Sequence, residues 1–235
     1  MNAIERTLGR LDGNALAARL GSEGYAVLPR LLDADEAREL ARAAIAANAS
    51  RRVLLEAVEL GRGEMFDFGA ALPAPLAAWR RAFYRALAPV ANRWNEALGA
   101  AYRYPAELDA FAEQQRAAGQ TRAQSYASRL RAGDFLALHQ RSEGEPVFPL
   151  QVVALLSEPG NDFAGGEFVM TEQRPRMQSR PMVVPLGLGD AAIIGTAQRP
   201  FEGANGVYRV NLKHAISRVR EGERVGIELA FHEGR

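Results

Sequence analysis

Short apolar runs separated by glycine- and proline-containing turns fill the second half of the sequence, and they constrain the fold more than any other feature. Seven runs have the length and composition of strands: residues 135–139, 148–156, 167–171, 182–184, 191–194, 208–216 and 225–232. Turn sequences such as Pro159-Gly160-Asn161 and Gly165-Gly166 lie between them. Strands this short and this closely spaced predict two antiparallel sheets packed as a sandwich or jelly roll.

The first half is rich in alanine and arginine, and its apolar residues recur at helical spacing. Asp33 and Glu36 have the spacing of a capping box, which predicts the start of a helix. A second helix is expected from Pro75 to Gly99, with Pro89 kinking or splitting it, and a third over residues 105–119. A run at residues 24–29 predicts a short strand.

Together these patterns predict an α+β fold: a jelly-roll core covered by a helical N-terminal layer. We expect a single domain over residues 1–235, with a mainly helical part at 1–120 and a β core at 121–235.

Cysteine is absent, which excludes disulfides, thiolate nucleophiles and every cysteine-ligated metal site, and fits a reducing compartment. Charged residues interrupt the first 24 positions, so a signal peptide is not expected and we predict a cytoplasmic protein without a membrane segment. The 29 basic and 28 acidic residues nearly balance, which argues against strong nonspecific binding to nucleic acid.

Histidines are scarce, and two of the three lie on predicted strands. His214 has the same parity as Val210 and Leu212, so it should face the interior of the sandwich. His139 ends the apolar run 135–139. Each alone could be a hydrogen-bonded core histidine, but an inward-facing pair on two strands fits a mononuclear metal site of the two-histidine type.

Motifs spread over the second half carry a family resemblance. They occupy residues 119–122, 133–135, 139–140, 147–151, 156–160, 165–168, 171–176, 189–190, 199–200 and 208–214. With these motifs the chain resembles the Fe(II)- and 2-oxoglutarate-dependent oxygenases. It is most similar to a bacterial subfamily labelled as acting on damaged, alkylated DNA, and more distantly to prolyl hydroxylases.

The resemblance implies a double-stranded β-helix around an iron site of two histidines and one carboxylate, with 2-oxoglutarate as cosubstrate. His139 and His214 would bind Fe(II). Arg224 would bind the distal carboxylate of 2-oxoglutarate, with Arg218 as a second candidate; a guanidinium suits a carboxylate because it donates two hydrogen bonds.

The implied reaction is a hydroxylation or oxidative demethylation in which 2-oxoglutarate is decarboxylated to succinate. A small molecule, an amino-acid side chain and a nucleobase all stay open as substrates. Nucleic acid enters only through the family resemblance, and the sequence does not indicate an oligomeric state.

Two positions depart from the family pattern. Arg141 stands where the family has the acid of a His-x-Asp motif, and a cationic side chain cannot ligate iron. Leu130 stands where related oxygenases often have a tyrosine that helps to bind 2-oxoglutarate.

Four hypotheses account for Arg141. The two histidines could be completed by water or another exogenous ligand, or Glu143, Glu145 or Glu228 could supply the carboxylate, although we expect Glu228 rather to form a buried salt bridge with Arg141 or Arg224. Alternatively, Arg141 is a catalytic-site residue that binds a carboxylate of the substrate or cosubstrate. The last hypothesis is that the metal has been lost, leaving an inactive or altered-metal protein that acts as a binding module.

Three further features receive simpler interpretations. Arginines 174, 176, 180 and 199 are expected on a solvated rim, or else at a cavity mouth that binds an anionic substrate. His232 is expected at the surface or at a strand end. No Gly-x-Ser-x-Gly sequence is present, so a serine hydrolase is poorly supported.

Overall fold

The computed structural model describes residues 13–47, 51–69, 72–204 and 206–235. In these ranges it has four α-helices: α1 (Gly13–Glu23), α2 (Ala34–Ala47), α3 (Leu76–Ala97) and α4 (Leu108–Ala117). The strands are β1 (Tyr25–Leu28), β2 (Arg52–Leu54), β3 (Gly61–Arg62), β4 (Glu64–Asp67), β5 (Tyr126–Arg131), β6 (Phe135–His139), β7 (Leu150–Leu155), β8 (Phe163–Gly165), β9 (Phe168–Gln173), β10 (Arg180–Val184), β11 (Ala191–Gly195), β12 (Gln198–Gly203), β13 (Gly206–Ile216) and β14 (Val219–Leu229).

The strands form two antiparallel sheets. The larger has the order β1-β11-β7-β14-β5-β4-β2, with β8 paired to β14. The smaller has the order β10-β9-β13-β6-β3, with β12 paired to β13. The two longest strands, β13 and β14, lie in different sheets and follow each other in the chain.

Alternating side chains divide the interior into two apolar clusters. One cluster joins residues from both sheets, such as Val153 and Leu155 of β7 with Leu212 of β13, so the sheets face each other across it. The other joins the opposite face of the larger sheet, including Ile227, to the helices, including Phe83 of α3. The space between the two sheets is therefore where inward-facing polar side chains meet.

All seven predicted strands exist, and all except β6 have shifted ends: β14 begins six residues earlier than expected, at Val219, and ends at Leu229. Three strands of the second half were not predicted, namely β5, β8 and β12. β5 was not predicted because Ser128, Arg129 and Arg131 interrupt its apolar pattern, although Ser128 is buried between the sheets.

The first part of the chain combines helices with strands, and β1 confirms the short strand predicted at residues 24–29. Besides the four helices it supplies β1 to β4, and these join both sheets. β2, β3 and β4 were not predicted, because strands of two to four residues carry too little periodicity to be recognised.

Two helix predictions have different outcomes. The capping box is confirmed, because the Glu36 N–H donates to Asp33 Oδ1 at 2.8 Å and the Asp33 N–H donates to Glu36 Oε2 at 3.0 Å. The expected split at Pro89 is wrong: α3 is one helix of 22 residues. Its buried face, which includes Phe83, Leu87 and Trp94, packs in the core on both sides of the proline and compensates for the lost hydrogen bond.

Arg199 does not lie on a solvated rim, so that expectation is wrong. Its guanidinium is fully buried, pairs with the buried carboxylate of Glu172, and donates to the backbone oxygens of Gly21 and Ser22. It thereby ties the end of α1 to β12 and β9. Arg174 also binds Glu172, at 3.1 Å, whereas residues 176 and 180 are exposed.

The N-terminal stretch used to argue against a signal peptide falls mostly in residues 1–12, outside the described residues. Within the described part, no helix is long and apolar enough to cross a membrane.

Candidate metal centre

Two neighbouring strands of the smaller sheet bring the predicted histidines together. His214 of β13 and His139 of β6 are register partners, and their ring centres are 4.3 Å apart. His214 is fully buried, in line with Leu212 and Ile216, as its parity predicted. Phe168 lies nearly parallel to the His214 ring, 5.8 Å away, and fixes its plane.

A carboxylate from the opposite sheet completes the cluster. Glu228 lies near the end of β14, and its Oε2 is 3.3 Å from His214 Nε2. Ligand atoms of His139, His214 and Glu228 all lie within 4.8 Å of one another. Glu143 and Glu145, the other two candidate carboxylates, do not join them: both are exposed, and Glu143 pairs with Arg122.

The backbone sets the tautomer of His139. Its Nδ1 lies 2.9 Å from the carbonyl oxygen of Ala137, to which it donates, so Nε2 carries the lone pair. Nε2 is buried without a hydrogen-bond partner. Burial and the neighbouring His214 lower the pKa of His139 to about 4, so the ring is neutral at pH 7 and able to bind a metal.

Glu228 forms no ion pair with Arg141 or Arg224, so the expected salt bridge is not formed; its contact is with His214 Nε2. Burial alone would raise the pKa of the Glu228 carboxyl, but the nearby His214, Arg141 and His139 outweigh burial and hold it below the ordinary value. The group is therefore ionised, and its Oε1 is buried without a partner.

Arg141 lies beside this cluster and turns onto an aromatic ring. Its guanidinium carbon is 4.5 Å from the ring centre of Tyr126, and Nη1 is 3.5 Å from Gln124 Oε1. Nε and Nη2 are buried without partners. Two donors of a charged group are thus free in the interior.

Arg224 points into the same interior from β14. Its Nε donates to the carbonyl oxygen of Gly166 at 2.8 Å, while Nη1 is buried and has no partner. Nη1 lies over Gly226, where an added Cβ would come within 2.9 Å of it. Burial lowers the pKa of Arg224 to about 10, so it is still protonated at pH 7.

Two cavities adjoin Arg224. A narrow one of about 10 Å³ separates it from Glu228 and is also lined by Ser128, Phe168 and Ile216. A wider one of about 320 Å³ opens on its other side, next to Phe163 and Leu186. Arg218 reaches neither: it is exposed in the turn between β13 and β14, so the structure does not support its predicted role.

Sequence reasoning missed several polar groups of the site. Gln151 of β7 is buried and its amide lies 3.2 Å from His214 Nε2; it belongs to the 147–151 motif but was given no role. Tyr126 belongs to the unpredicted strand β5, and its hydroxyl is buried without a partner.

His232 is not at the surface, so that expectation is wrong. It is 1% exposed and both ring nitrogens lack partners. Burial, with Arg80 and Arg141 nearby, lowers its pKa to about 4. His232 lies beyond the end of β14 at Leu229, and the ring is nevertheless enclosed by the rest of the protein.

Residues 63–234, well over half of the chain, match the model of a family called Oxygenase-NA, described as "Oxygenase, catalysing oxidative methylation of damaged DNA". The chain belongs to the Oxygenase-NA family. This confirms the resemblance predicted from the motifs and makes the chain a member of an oxygenase family.

Relatives of this Oxygenase-NA chain include two uncharacterized proteins of Mycobacterium tuberculosis, MT2286 of strain CDC 1551 and Rv2227 of strain H37Rv. Each is 40% identical over 154 residues, and the alignment spans 66% of this chain and 66% of the relative.

Solved structures share the fold of Oxygenase-NA at low sequence identity. A prolyl-4-hydroxylase of Pseudomonas putida has a TM-score of 0.55 at 13% identity, covering 95% of this chain and 99% of that one. A 2-oxoglutarate–Fe(II) family oxidoreductase of Burkholderia pseudomallei has a TM-score of 0.51 at 19% identity, covering 96% and 93%. A Trichoplax adhaerens prolyl hydroxylase, solved with a hypoxia inducible factor peptide fragment, has a TM-score of 0.57 at 13% identity, covering 98% and 90%.

Proposed function

We propose that this protein is an Fe(II)- and 2-oxoglutarate-dependent oxygenase that hydroxylates or oxidatively demethylates its substrate. The observation that carries the proposal is the convergence of His139, His214 and Glu228 within 4.8 Å, beside the free donor of Arg224. Family membership supports the same activity.

The side chains present suit both groups. His139 Nε2 and Glu228 Oε1 are buried acceptors without partners on side chains of the same cluster, and leaving them unpaired is costly unless a cation lies between them. Arg224 Nη1 is a buried cationic donor without an acceptor. His139 and His214 would hold Fe(II), and Arg224 would bind the distal carboxylate of 2-oxoglutarate.

When bound, the two groups supply an oxidation by O₂ in which 2-oxoglutarate is decarboxylated to succinate and one oxygen atom is inserted into a substrate C–H bond. The carbonyl of Ala137 holds His139 in the tautomer that presents Nε2. Phe168, 4% exposed, holds the His214 ring in plane and keeps water from it. Gly226 leaves the space that the Arg224 guanidinium occupies.

Arg141 is proposed as a substrate-binding residue of this site. Its free Nε and Nη2 donors lie beside the metal cluster, and stacking on Tyr126 fixes the plane of the guanidinium. An arginine with two free buried donors suits a carboxylate or phosphate oxygen. A substrate with such a group, of which an alkylated nucleotide is the kind named by the family description, fits this arrangement.

The architecture proposed for the site is a double-stranded β-helix in one domain, with the helices packed on the outer face of the larger sheet. This arrangement is supported by the two apolar clusters, which lie between the sheets and under the helices. Absence of cysteine fits a reducing compartment, and we place the protein in the cytoplasm.

Anaerobic titration tests the function. Fe(II) and 2-oxoglutarate added together should produce a weak visible charge-transfer band, and exposure to O₂ should then yield succinate even without substrate. His214→Ala should lose both. His232→Gln is the matched control, because His232 lies outside the ligand set, and it should keep the band.

A protein that folds normally but gives neither band nor succinate would instead be a binding module, the alternative raised by Arg141 at the family's acid position. Metal analysis of the purified protein distinguishes a third case, a different bound metal.

A further inference from the structure

We infer that Glu228, on the last strand of the larger sheet, is the carboxylate ligand of the metal centre, in place of an acid two residues after His139. The inference rests on the proposed function, because it assumes that the site binds a divalent metal. With Glu228 as ligand, the acid lies on the facing sheet and not on the strand that carries His139.

The distance between Glu228 and His214 fits two ligands of one ion. Ligand atoms about 2.1 Å from a metal, at angles near 90–110°, lie roughly 3.0–3.4 Å apart. Glu228 Oε2 and His214 Nε2 are 3.3 Å apart. A charge-assisted hydrogen bond would be shorter, about 2.7–2.9 Å.

The buried carboxylate of Glu228 has one oxygen without a partner and makes no ion pair with an arginine. The residue is 5% exposed, Oε1 has no partner, and neither neighbouring arginine forms an ion pair with it. An ionised carboxylate is expensive to bury with a single long contact. A metal held also by the free Nε2 of His139 would satisfy the remaining acceptors.

The position of Arg141 explains why the acid lies elsewhere. Residue 141 follows His139 by two positions, but its guanidinium stacks on Tyr126 and offers no lone pair to a metal. Glu228 supplies the negative charge from the opposite side of the same interior. The carboxylate of the site thus comes from the larger sheet, while the position two residues after His139 carries a guanidinium.

This ligand set would join the two sheets. His139 and His214 belong to the smaller sheet, whereas Glu228 belongs to the larger. Metal binding should therefore raise the thermal stability of the sandwich by linking its halves, in addition to the mass-action effect of any ligand. Two histidines of one sheet alone would give no such link.

The competing explanation is that Glu228 only accepts a hydrogen bond from His214 and orients it. Glu228→Gln distinguishes metal ligation from the positioning of His214, because the amide keeps the size and hydrogen-bonding capacity of the side chain but loses the anionic ligand. Glu143→Gln is the matched control, since Glu143 is exposed and paired with Arg122.

The experiment uses Co(II) as probe, with the full chain. Calorimetric titration gives the affinity, thermal denaturation gives the Tm shift, and infrared difference spectra of the ¹³C-glutamate-labelled protein report carboxylate coordination. We expect the wild type and Glu143→Gln to bind equally. Glu228→Gln should bind about 100-fold more weakly or worse, with the glutamate infrared change and the Tm rise both lost.

Three results would contradict the inference in distinguishable ways. If the glutamate infrared change persists in Glu228→Gln, another glutamate coordinates the metal, Glu228 only positions His214, and the proposed function stands, even where the affinity falls by the roughly 10- to 100-fold typical of a positioning residue. If the wild type binds Co(II) with no glutamate infrared change, the inference fails even where the variant does not fold. If the folded wild type binds no Co(II) or Fe(II), the proposed function itself fails.

Discussion

His139 and His214 stand opposite each other on neighbouring antiparallel strands, with ring centres 4.3 Å apart. A bulge follows His214, between it and Ile216 in the pairing with β6. A slip of one residue in this register would turn one ring to the other face of the sheet. The proposed metal centre therefore depends on the β6–β13 pairing as much as on the residues themselves.

Arg224→Gln should raise the KM for 2-oxoglutarate about 10- to 100-fold in the uncoupled succinate assay. The variant loses charge-assisted hydrogen bonds worth roughly 1.5–3 kcal/mol, and each 1.4 kcal/mol is about tenfold. Arg218→Gln serves as control, because Arg218 is exposed outside the cavity. If Arg218→Gln raised the KM as much as Arg224→Gln, Arg218 would also contribute to binding 2-oxoglutarate.

The double variant Arg141→Asp/Glu228→Gln should recover Co(II) binding lost in Glu228→Gln, to within about tenfold of wild type. The reason is that an acid two residues after His139 takes up the place typical of two-histidine, one-carboxylate sites, so the negative charge lost at residue 228 is restored at residue 141, where the guanidinium is removed. Calorimetric titration measures both affinities. Equal binding by the single and double variants would show that residue 141 does not face the metal.

Arg141→Gln should leave the affinities for Co(II) and 2-oxoglutarate within about threefold of wild type, because its guanidinium lies on Tyr126 outside both sets. It should instead reduce the stimulation of succinate formation by an anionic substrate, as a rise in substrate KM. The assay compares alkylated nucleotides with their uncharged nucleosides. If Arg141→Gln lowered the affinity for 2-oxoglutarate, Arg141 would bind the cosubstrate and not the substrate.

Stability should fall as the pH drops through the range from 6.5 to about 4, partly because of His232. Its pKa is lower in the folded than in the unfolded protein, so the unfolded state takes up the proton first. The shift from 6.5 to about 4 corresponds to on the order of 3 kcal/mol below pH 4. His139, shifted in the same direction, adds to the loss.

Urea unfolding at pH 7 and pH 4.5 measures this dependence. His232→Gln should show a visibly smaller loss of unfolding free energy between the two pH values, since one of the two histidines with a lowered pKa is gone. An unchanged difference would mean that His232 is already protonated in the folded state.

Local patterns in the sequence predicted much of the fold. The capping box at Asp33 and Glu36 forms as predicted, and the alternation from Val210 to His214 gave the facing of that histidine correctly. Such features involve residues close in the chain, whose geometry follows from backbone periodicity. Strand β5 lacked that signal, because its arginines obscure which side chains are buried.

Residues distant in the chain were harder to place. The sequence around Arg199 predicts an arginine in or beside a loop, but in the structure the residue is fully buried against Glu172 and the end of α1. Its burial follows from contacts between β12, β9 and α1, and no single stretch of sequence contains all three. His232 was misplaced for a similar reason, because a residue just beyond a strand was expected to be exposed, whereas contacts with distant parts of the chain bury it.

The sequence by itself determined the family, the two histidines and the absence of an acid at residue 141, because these are properties of motifs and strand parity. Only the tertiary structure decided where the carboxylate is. Glu228 and His214 lie 14 positions apart in strands of different sheets, and their 3.3 Å approach follows from how the sheets face each other. Parity gives the face on which a side chain lies, but sheet packing gives its neighbours.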